Sequence, residues 1–272
     1  MFRNATMLRQ TVRWRARVAA LLLACGVASL VTSRVAPAQR GAPSVRNIVL
    51  VHGAWVDGSG WRGVYDILVR DGYDVSVVQQ PLTSFRDDVS AVKRVLALQS
   101  GPCILVAHSY GGSVITEAGT GPSVAGLVYV AAHMPDSGES EAADGKRFPS
   151  DLGKSRAIRL TPDSFSYLDP AEFHAYFAAD MPAAQAAFMA RSQVLIANAN
   201  FFGIITTPAW RHKPSWMVVA TKDRVINPDL ERWYATRAKS RTVEVTGASH
   251  SVYISRPKEV AGVIEDAARQ VP

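Results

Sequence analysis

From Asn47 onward, short β-branched runs alternate with longer windows in which apolar residues recur every three or four positions. The runs at residues 48–51, 75–78, 104–107, 127–130, 216–220 and 242–245 are short and apolar enough to be strands buried on both faces. Most are separated by helical windows, at residues 61–71, 87–98, 112–119, 229–238 and 257–269. This alternation predicts an α/β fold, a mostly parallel sheet with helices on both faces. The rhythm breaks between Val130 and Trp216, where about 85 residues are too long for a plain connection. They hold helix-like stretches at 170–177 and 182–197 and an aromatic segment, NFFGIITTPAW. The expectation is an inserted, mainly helical cap at 135–213 over a core made of 39–134 and 214–272, seated where open α/β sheets place ligands.

The chain starts differently. Arg3, Arg9, Arg13, Arg15 and Arg17 precede an uncharged, largely apolar run at 18–31, and RVAPAQR then offers Ala36 and Ala38 around a small-residue cleavage point. That is the three-part plan of a secretory signal over residues 1–38. The apolar run, about 14 residues, is shorter than the roughly 20 a membrane-spanning helix needs. The expected location is therefore outside the cytoplasm, periplasmic or secreted, the alternative being a lipid anchor at Cys25 of LLAC. Cleavage would remove six arginines and no acidic residue, taking the net charge from +7 to +1. The basic character then belongs to the signal, and a nucleic-acid partner loses its main support. Cleavage would also leave Cys103 as the one cysteine, in an apolar strand, where an inert thiol is expected.

The chemistry gathers around ILVAHSYGGSVI, residues 104–115. A buried strand runs into a serine and two glycines open a helix, which is the plan of the nucleophile elbow G-x-S-x-G, with Ala107 in place of the first glycine. A serine hydroxyl becomes a useful nucleophile only with a base, a group that orients the base, and donors aimed at the developing oxyanion. His250, in the loop of VTGASHSVYISRP, is the candidate base; Asp223, past the strand at 216–220, and Asp136, past that at 127–130, are both candidates for the acid. Asp223 is preferred because its segment runs into Pro228 and a helix, while Asp136 reads as a cap of the first helix of the insertion. The loop LVHGAWVDGSGW after the first strand places Ala54 to offer one oxyanion N–H, and Tyr110 the other.

The segments VLVHGAWVDGSGW, QQPLTSFRDDVSAV, LVAHSYGGSVITEAG, GLVYVAAHMPDSGES, PAWRHKPSWMVVATKDRVINP and GASHSVYISRPKEVA together resemble the α/β-hydrolase superfamily. The likeness is to its bacterial esterase-like branch with an HGAW loop and an HSYGG elbow and, more distantly, to the plant methyl-ester esterase and hydroxynitrile lyase group. It spans about residues 47–269. It implies the α/β-hydrolase fold, with Ser109 as nucleophile, His250 as base, Asp223 as its acid, and Ala54 and Tyr110 as oxyanion donors. The implied activity is cleavage of a small apolar or aromatic carboxylic ester through an acyl-enzyme. Lactonase, amidase and lyase activities are alternatives, Lys213 being the lysine a lyase would call on, and a non-catalytic ligand binder is the alternative of another class. His133 departs from the resemblance, which implies an apolar or aromatic residue there; it faces either the pocket or a polar contact with the cap. Trp55, His133 and Trp210 are expected to bind substrate, with Trp61, Tyr110, Phe201 and Phe202 as further aromatic candidates. No HExxH, paired-cysteine or phosphate-loop motif occurs in the sequence, so no metal or other cofactor is expected.

Overall fold

The computed structural model describes residues 44–271. The expected signal, its cleavage point and Cys25 lie outside the described residues. In chain order the elements are β1 (Asn47–Val51), α1 (Arg62–Arg70), β2 (Asp74–Val78), α2 (Phe85–Leu96), β3 (Cys103–Ser109), α3 (Gly111–Ala118) and β4 (Val124–Ala132). The long connection carries α4 (Glu141–Arg147), α5 (Asp151–Lys154), β5 (Ile158–Leu160), β6 (Phe165–Leu168), α6 (Phe173–Phe177), α7 (Ala183–Arg191) and β7 (Ile196–Ala197). The chain then returns through β8 (Ser215–Ala220), α8 (Pro228–Ala238), β9 (Arg241–Val245), α9 (Val252–Ser255) and α10 (Pro257–Gln270).

Six strands form one sheet in the order β2-β1-β3-β4-β8-β9, every pair parallel. Its central strands alternate sides as the period of two requires. Val49, Val51, Leu105 and Ala107 enter the core shared with α2, α3 and α8, whereas Ile48, Leu50, Ile104 and Val106 enter the core under α1 and α10. Each such Val, Leu or Ile, fully buried, stabilises the fold by about 1.5–3 kcal/mol. The edges differ from the expectation of double burial. β2 is only partly covered, and β9 leaves four of its five residues exposed, with Glu244 held by Arg232. Charged side chains on such an edge discourage pairing with another chain.

Helix starts follow the caps. Ser84 accepts from Asp87 N–H and begins α2 at Phe85, and Asn227 accepts from Asp229 N–H with Pro228 at the first turn of α8. The long connection carries short helices and also a small antiparallel sheet, β5-β6-β7. Residues 192–197, read as the end of one helix, instead leave α7 at Ser192 and enter β7. Cys103 is buried and unpaired, and burial pushes its thiol up to about 11, which keeps it protonated. No helix among the described residues is long and apolar enough to cross a membrane.

Candidate active site

The order of strands reverses between β1 and β3, because the chain first steps outward to β2 and then returns. The carboxyl ends of these two strands hold the HGAW loop and Ser109, at the switch point that open α/β sheets use for ligands. Ser109 ends β3 and Gly111 begins α3, so strand becomes helix across Tyr110 alone. The turn holds Ser109 at φ 55°, a left-handed conformation that costs a non-glycine residue about 1–3 kcal/mol. Close approach makes it possible. A Cβ on Gly111 would stand 2.5 Å from the His52 carbonyl oxygen, and one on Gly112 only 2.1 Å from that of His133. Ala107, at the position where the pattern has glycine, is fully buried and adds its methyl to the core.

Ser109 Oγ lies 2.9 Å from His250 Nε2, and His250 Nδ1 lies 2.6 Å from Asp223 Oδ2. The Asp223 side chain is sealed from solvent, and its other oxygen accepts from the N–H groups of Val225 (2.7 Å) and Ile226 (3.0 Å). These bonds aim the carboxylate at the imidazole. With Nδ1–H donating to Asp223, the lone pair on Nε2 faces the serine hydroxyl, the arrangement a general base requires. Behind Asp223 sits Glu231, fully buried, its Oε2 accepting from Ala220 N–H at 3.3 Å. Burial first, and then the charge of Asp223, raise the Glu231 carboxyl well above the usual carboxylate range. Glu231 therefore holds its proton and leaves the negative charge to Asp223.

The histidine loop is fixed from two sides. Ser251 N–H donates to the Phe177 carbonyl (3.0 Å), and His108 Nε2 lies 3.0 Å from the His250 carbonyl. Burial lowers the His108 pKa well below its ordinary value, so the ring is neutral and Nε2 carries the hydrogen that this carbonyl accepts. The elbow is anchored by Tyr110, whose hydroxyl donates to Asp88 Oδ2 (2.7 Å). Asn200, from the long connection, donates to the same oxygen (2.9 Å), and Leu82 N–H to Oδ1 (2.8 Å). Burial nevertheless raises Asp88 to about 6.

Ser109 opens into a cavity of about 480 Å³ lined by Ala54, Trp55, His133, Glu141, Phe201 and Phe202 among others. Ala54 is held close to the nucleophile, since a Cβ on its neighbour Gly53 would stand 2.7 Å from Ser109 Cβ. The expected pocket residues separate here. Trp55, His133, Phe201 and Phe202 line the cavity, whereas Trp210 does not: its Nε1–H donates to the Pro135 carbonyl (3.0 Å) and its ring lies against Arg237. Trp61 is buried against Tyr253, and the Tyr110 ring points to Asp88. Asp136 lies away from His250, bound to Arg211 at 2.7 Å, and Ser140 rather than Asp136 caps α4. Lys213 comes just before β8, at the amino ends of the parallel strands and so opposite the carboxyl end of β3 that holds Ser109, and no lyase lysine comes from it.

Asp88, Asn200, Glu141, Glu231 and His108 complete the site without having been singled out in the sequence. His108 was legible as part of HSYGG. The others belong to no motif of their own: Asp88 meets Tyr110 and Asn200, Glu141 meets His133, and Glu231 meets Asp223 only once the chain is folded.

Among known proteins, the model of a family described as the alpha/beta hydrolase family matches residues 48–263. A carbendazim hydrolyzing esterase of Nocardioides sp. (strain SG-4G) is 34% identical over 108 residues. That match takes in 35% of this chain and 45% of the relative, so it spans less than half of that esterase. The crystal structure of polyneuridine aldehyde esterase superposes with a TM-score of 0.70 at 18% identity, covering 82% of this chain and 98% of the other. A pyrethroid hydrolase from Sphingobium faniae JZ-2 does so with a TM-score of 0.69 at 21% identity, covering 83% and 98%. At such identities these structures speak for the fold alone.

Proposed function

We propose, from the premise that this chain belongs to the alpha/beta hydrolase family, that it is an exported serine hydrolase that cleaves a small apolar or aromatic carboxylic ester through an acyl-enzyme. The observation that carries the reading is the chain of contacts Asp223–His250–Ser109, at 2.6 and 2.9 Å, ending in a cavity with largely apolar walls. The esterase named among its relatives supports the same reaction class.

In the proposed reaction His250 takes the proton of Ser109 as Oγ bonds to the ester carbonyl carbon. The electron pair of the carbonyl moves onto oxygen, where the N–H groups of Ala54 and Tyr110 would hold it. Collapse expels the alcohol, to which His250 passes its proton. Water then attacks the acyl-enzyme with His250 again as base, freeing the acid and restoring Ser109. The fixed Asp223 carboxylate keeps Nδ1 protonated throughout and favours the imidazolium formed midway. Neither step needs a metal or organic cofactor in this scheme.

The test is hydrolysis of p-nitrophenyl esters of increasing acyl length by protein beginning at Gln39, beside its Ser109→Ala variant. Turnover that disappears in the variant, with fluorophosphonate labelling of the parent and not of the variant, is the expected result. Equal turnover in both would remove Ser109 from the reaction, and a parent that neither turns over nor labels would leave a binding protein. Export is tested by fractionating cells that make the full chain. Mature protein beginning at Gln39 outside the cytoplasm is expected, and an uncleaved cytoplasmic chain would overturn it.

A further inference from the structure

One wall of the Ser109 cavity is not apolar. His133, just past the end of β4, and Glu141, at the start of α4, both line it, with His133 Nε2 3.3 Å from Glu141 Oε1. The two side chains are 8% and 14% exposed, so the cavity is where they meet whatever enters. His133 is also tied to the nucleophile, for its backbone N–H donates to the Ser109 carbonyl at 3.2 Å. Its side chain lines the same cavity into which Ser109 opens.

Hydrogens can be assigned along this wall. The Tyr234 hydroxyl donates to Asp144 Oδ2 at 2.7 Å, so its oxygen is left to accept. His133 Nδ1, 3.4 Å from that oxygen, then carries the ring's hydrogen, and Nε2 has a lone pair toward Glu141. Only a protonated Glu141 satisfies that lone pair. Burial, with Asp144 nearby, raises Glu141 to about 8 against the opposing hydrogen bond from Ser113, while burial and then the neighbouring His250 lower His133 to about 3. Ser113 Oγ–H donates to the second Glu141 oxygen at a long 3.4 Å. The wall thus offers a neutral carboxyl with one weakly engaged acceptor oxygen, in a cavity whose remaining lining is mostly apolar, Trp55, Phe201, Phe202 and Leu152 among it, with Lys146, Ser150 and Asn198 as its other polar residues besides Ser109. A buried acceptor of this kind favours a ligand that brings a donor and disfavours one that leaves it unpaired.

We propose that the His133–Glu141 pair is the specificity-determining anchor of this cavity, selecting neutral esters that carry an O–H or N–H donor on the atom next to the scissile carbonyl. The proposal rests on Ser109 being the esterolytic nucleophile. α-Hydroxy esters and carbamates have the required chemistry, and simple acyl esters of the same shape lack it.

The experiment compares methyl mandelate with methyl phenylacetate, which differ by the α-hydroxyl, in the parent, Glu141→Ala, Glu141→Gln and His133→Phe. In Glu141→Ala and His133→Phe the loss of kcat/KM for methyl mandelate should exceed that for methyl phenylacetate by about tenfold or more, carried by KM. Glu141→Gln keeps a donor toward His133 and an acceptor for the substrate, and should restore most of that discrimination. Equal losses on both esters in both removal variants, with fluorophosphonate labelling retained, would reduce the pair to a strut between α4 and the core and overturn the proposal alone. A loss carried by kcat on both esters would do the same. A parent that turns over neither ester and does not label would overturn the esterase reading together with this one.

Discussion

The two faces of the Ser109 cavity are built by different physics. The core face comes from strand ends and is held by short bonds: 2.9 Å from Ser109 to His250, 2.6 Å on to Asp223, and two backbone N–H groups on that carboxylate. The face from the long connection meets the cavity through polar contacts of 3.3 and 3.4 Å and through aromatic rings, with Phe202 54% exposed at the rim. Reacting groups have to be positioned within a fraction of an ångström, and a parallel sheet supplies that rigidity. Selection among substrates needs shape and a few polar anchors, which a long loop can vary without disturbing the sheet. In this molecule the proposed chemistry sits on the first face and the proposed selectivity on the second.

The contrast is sharpest at the proposed base. His250→Ala is expected to lower kcat/KM by at least about 10,000-fold on every ester tried, leaving the fold intact by circular dichroism. A residual loss under tenfold would mean that the core face does not carry the reaction. Gly112→Ala attacks the same face through the backbone. Its Cβ would have to push the His133 carbonyl from 2.1 Å to ordinary contact, and a drop in denaturant stability above about 3 kcal/mol, or failure to fold, is expected. Wild-type stability in this variant would show the elbow to be looser than the contacts imply.

Asp88 is where the two faces are joined, and it makes the comparison depend on pH. Fully buried and receiving donors from Tyr110, Asn200 and Leu82, it titrates near 6 when folded against 3.8 for the ordinary side chain. A raised folded value means that the native protein takes up a proton between about pH 6 and 4, so this group's contribution to stability grows as pH falls through that window and is lost as it rises. Asp88→Asn should destabilise at pH 7 because an amide nitrogen would face bound donors. Its deficit relative to the parent should widen by up to about 3 kcal/mol between pH 7 and pH 4, read from denaturant melts. A deficit independent of pH would mean that Asp88 is not the titrating joint.

The smallest effects are expected where the groups are already neutral or exposed. Phe202→Ala should change KM by about two- to fivefold with kcat preserved, since a half-exposed ring gives up little on truncation. Glu231→Gln should lower kcat/KM by no more than about threefold, because the acid behind Asp223 holds its proton and an amide can take its place. A larger fall would mean that Glu231 carries charge and drives the Asp223–His250 pair directly.

Much of the core face was legible in the order of residues. The apolar runs fixed which segments become strands, Gly111 and Gly112 marked the sharp corner, and serine, aspartate and histidine followed in the order that the pattern requires. Even there, the edge strands differ from the apolar pattern. Thr242, Val243 and Glu244 look like part of a buried strand, yet they are exposed because, among the described residues, β9 has no neighbouring strand on its far side. The connection face was far less legible. Trp210 looked like a pocket aromatic and stacks instead on Arg237, Asp136 looked like a cap and pairs with Arg211, and residues 192–197 looked helical and form a turn and β7.

What the sequence alone determined, then, is the alternating α/β pattern, the elbow at Ser109 and the chain order of its partners, because period, glycine placement and strand-end position are local properties. What only the tertiary structure decided is which acid faces His250, which aromatics line the cavity, and that Glu141 meets His133 beside Ser109. Burial and hydrogen-bond partnership are relations between segments distant in the chain. A carboxyl's charge and a ring's exposure follow from those relations and are written in no single stretch of residues.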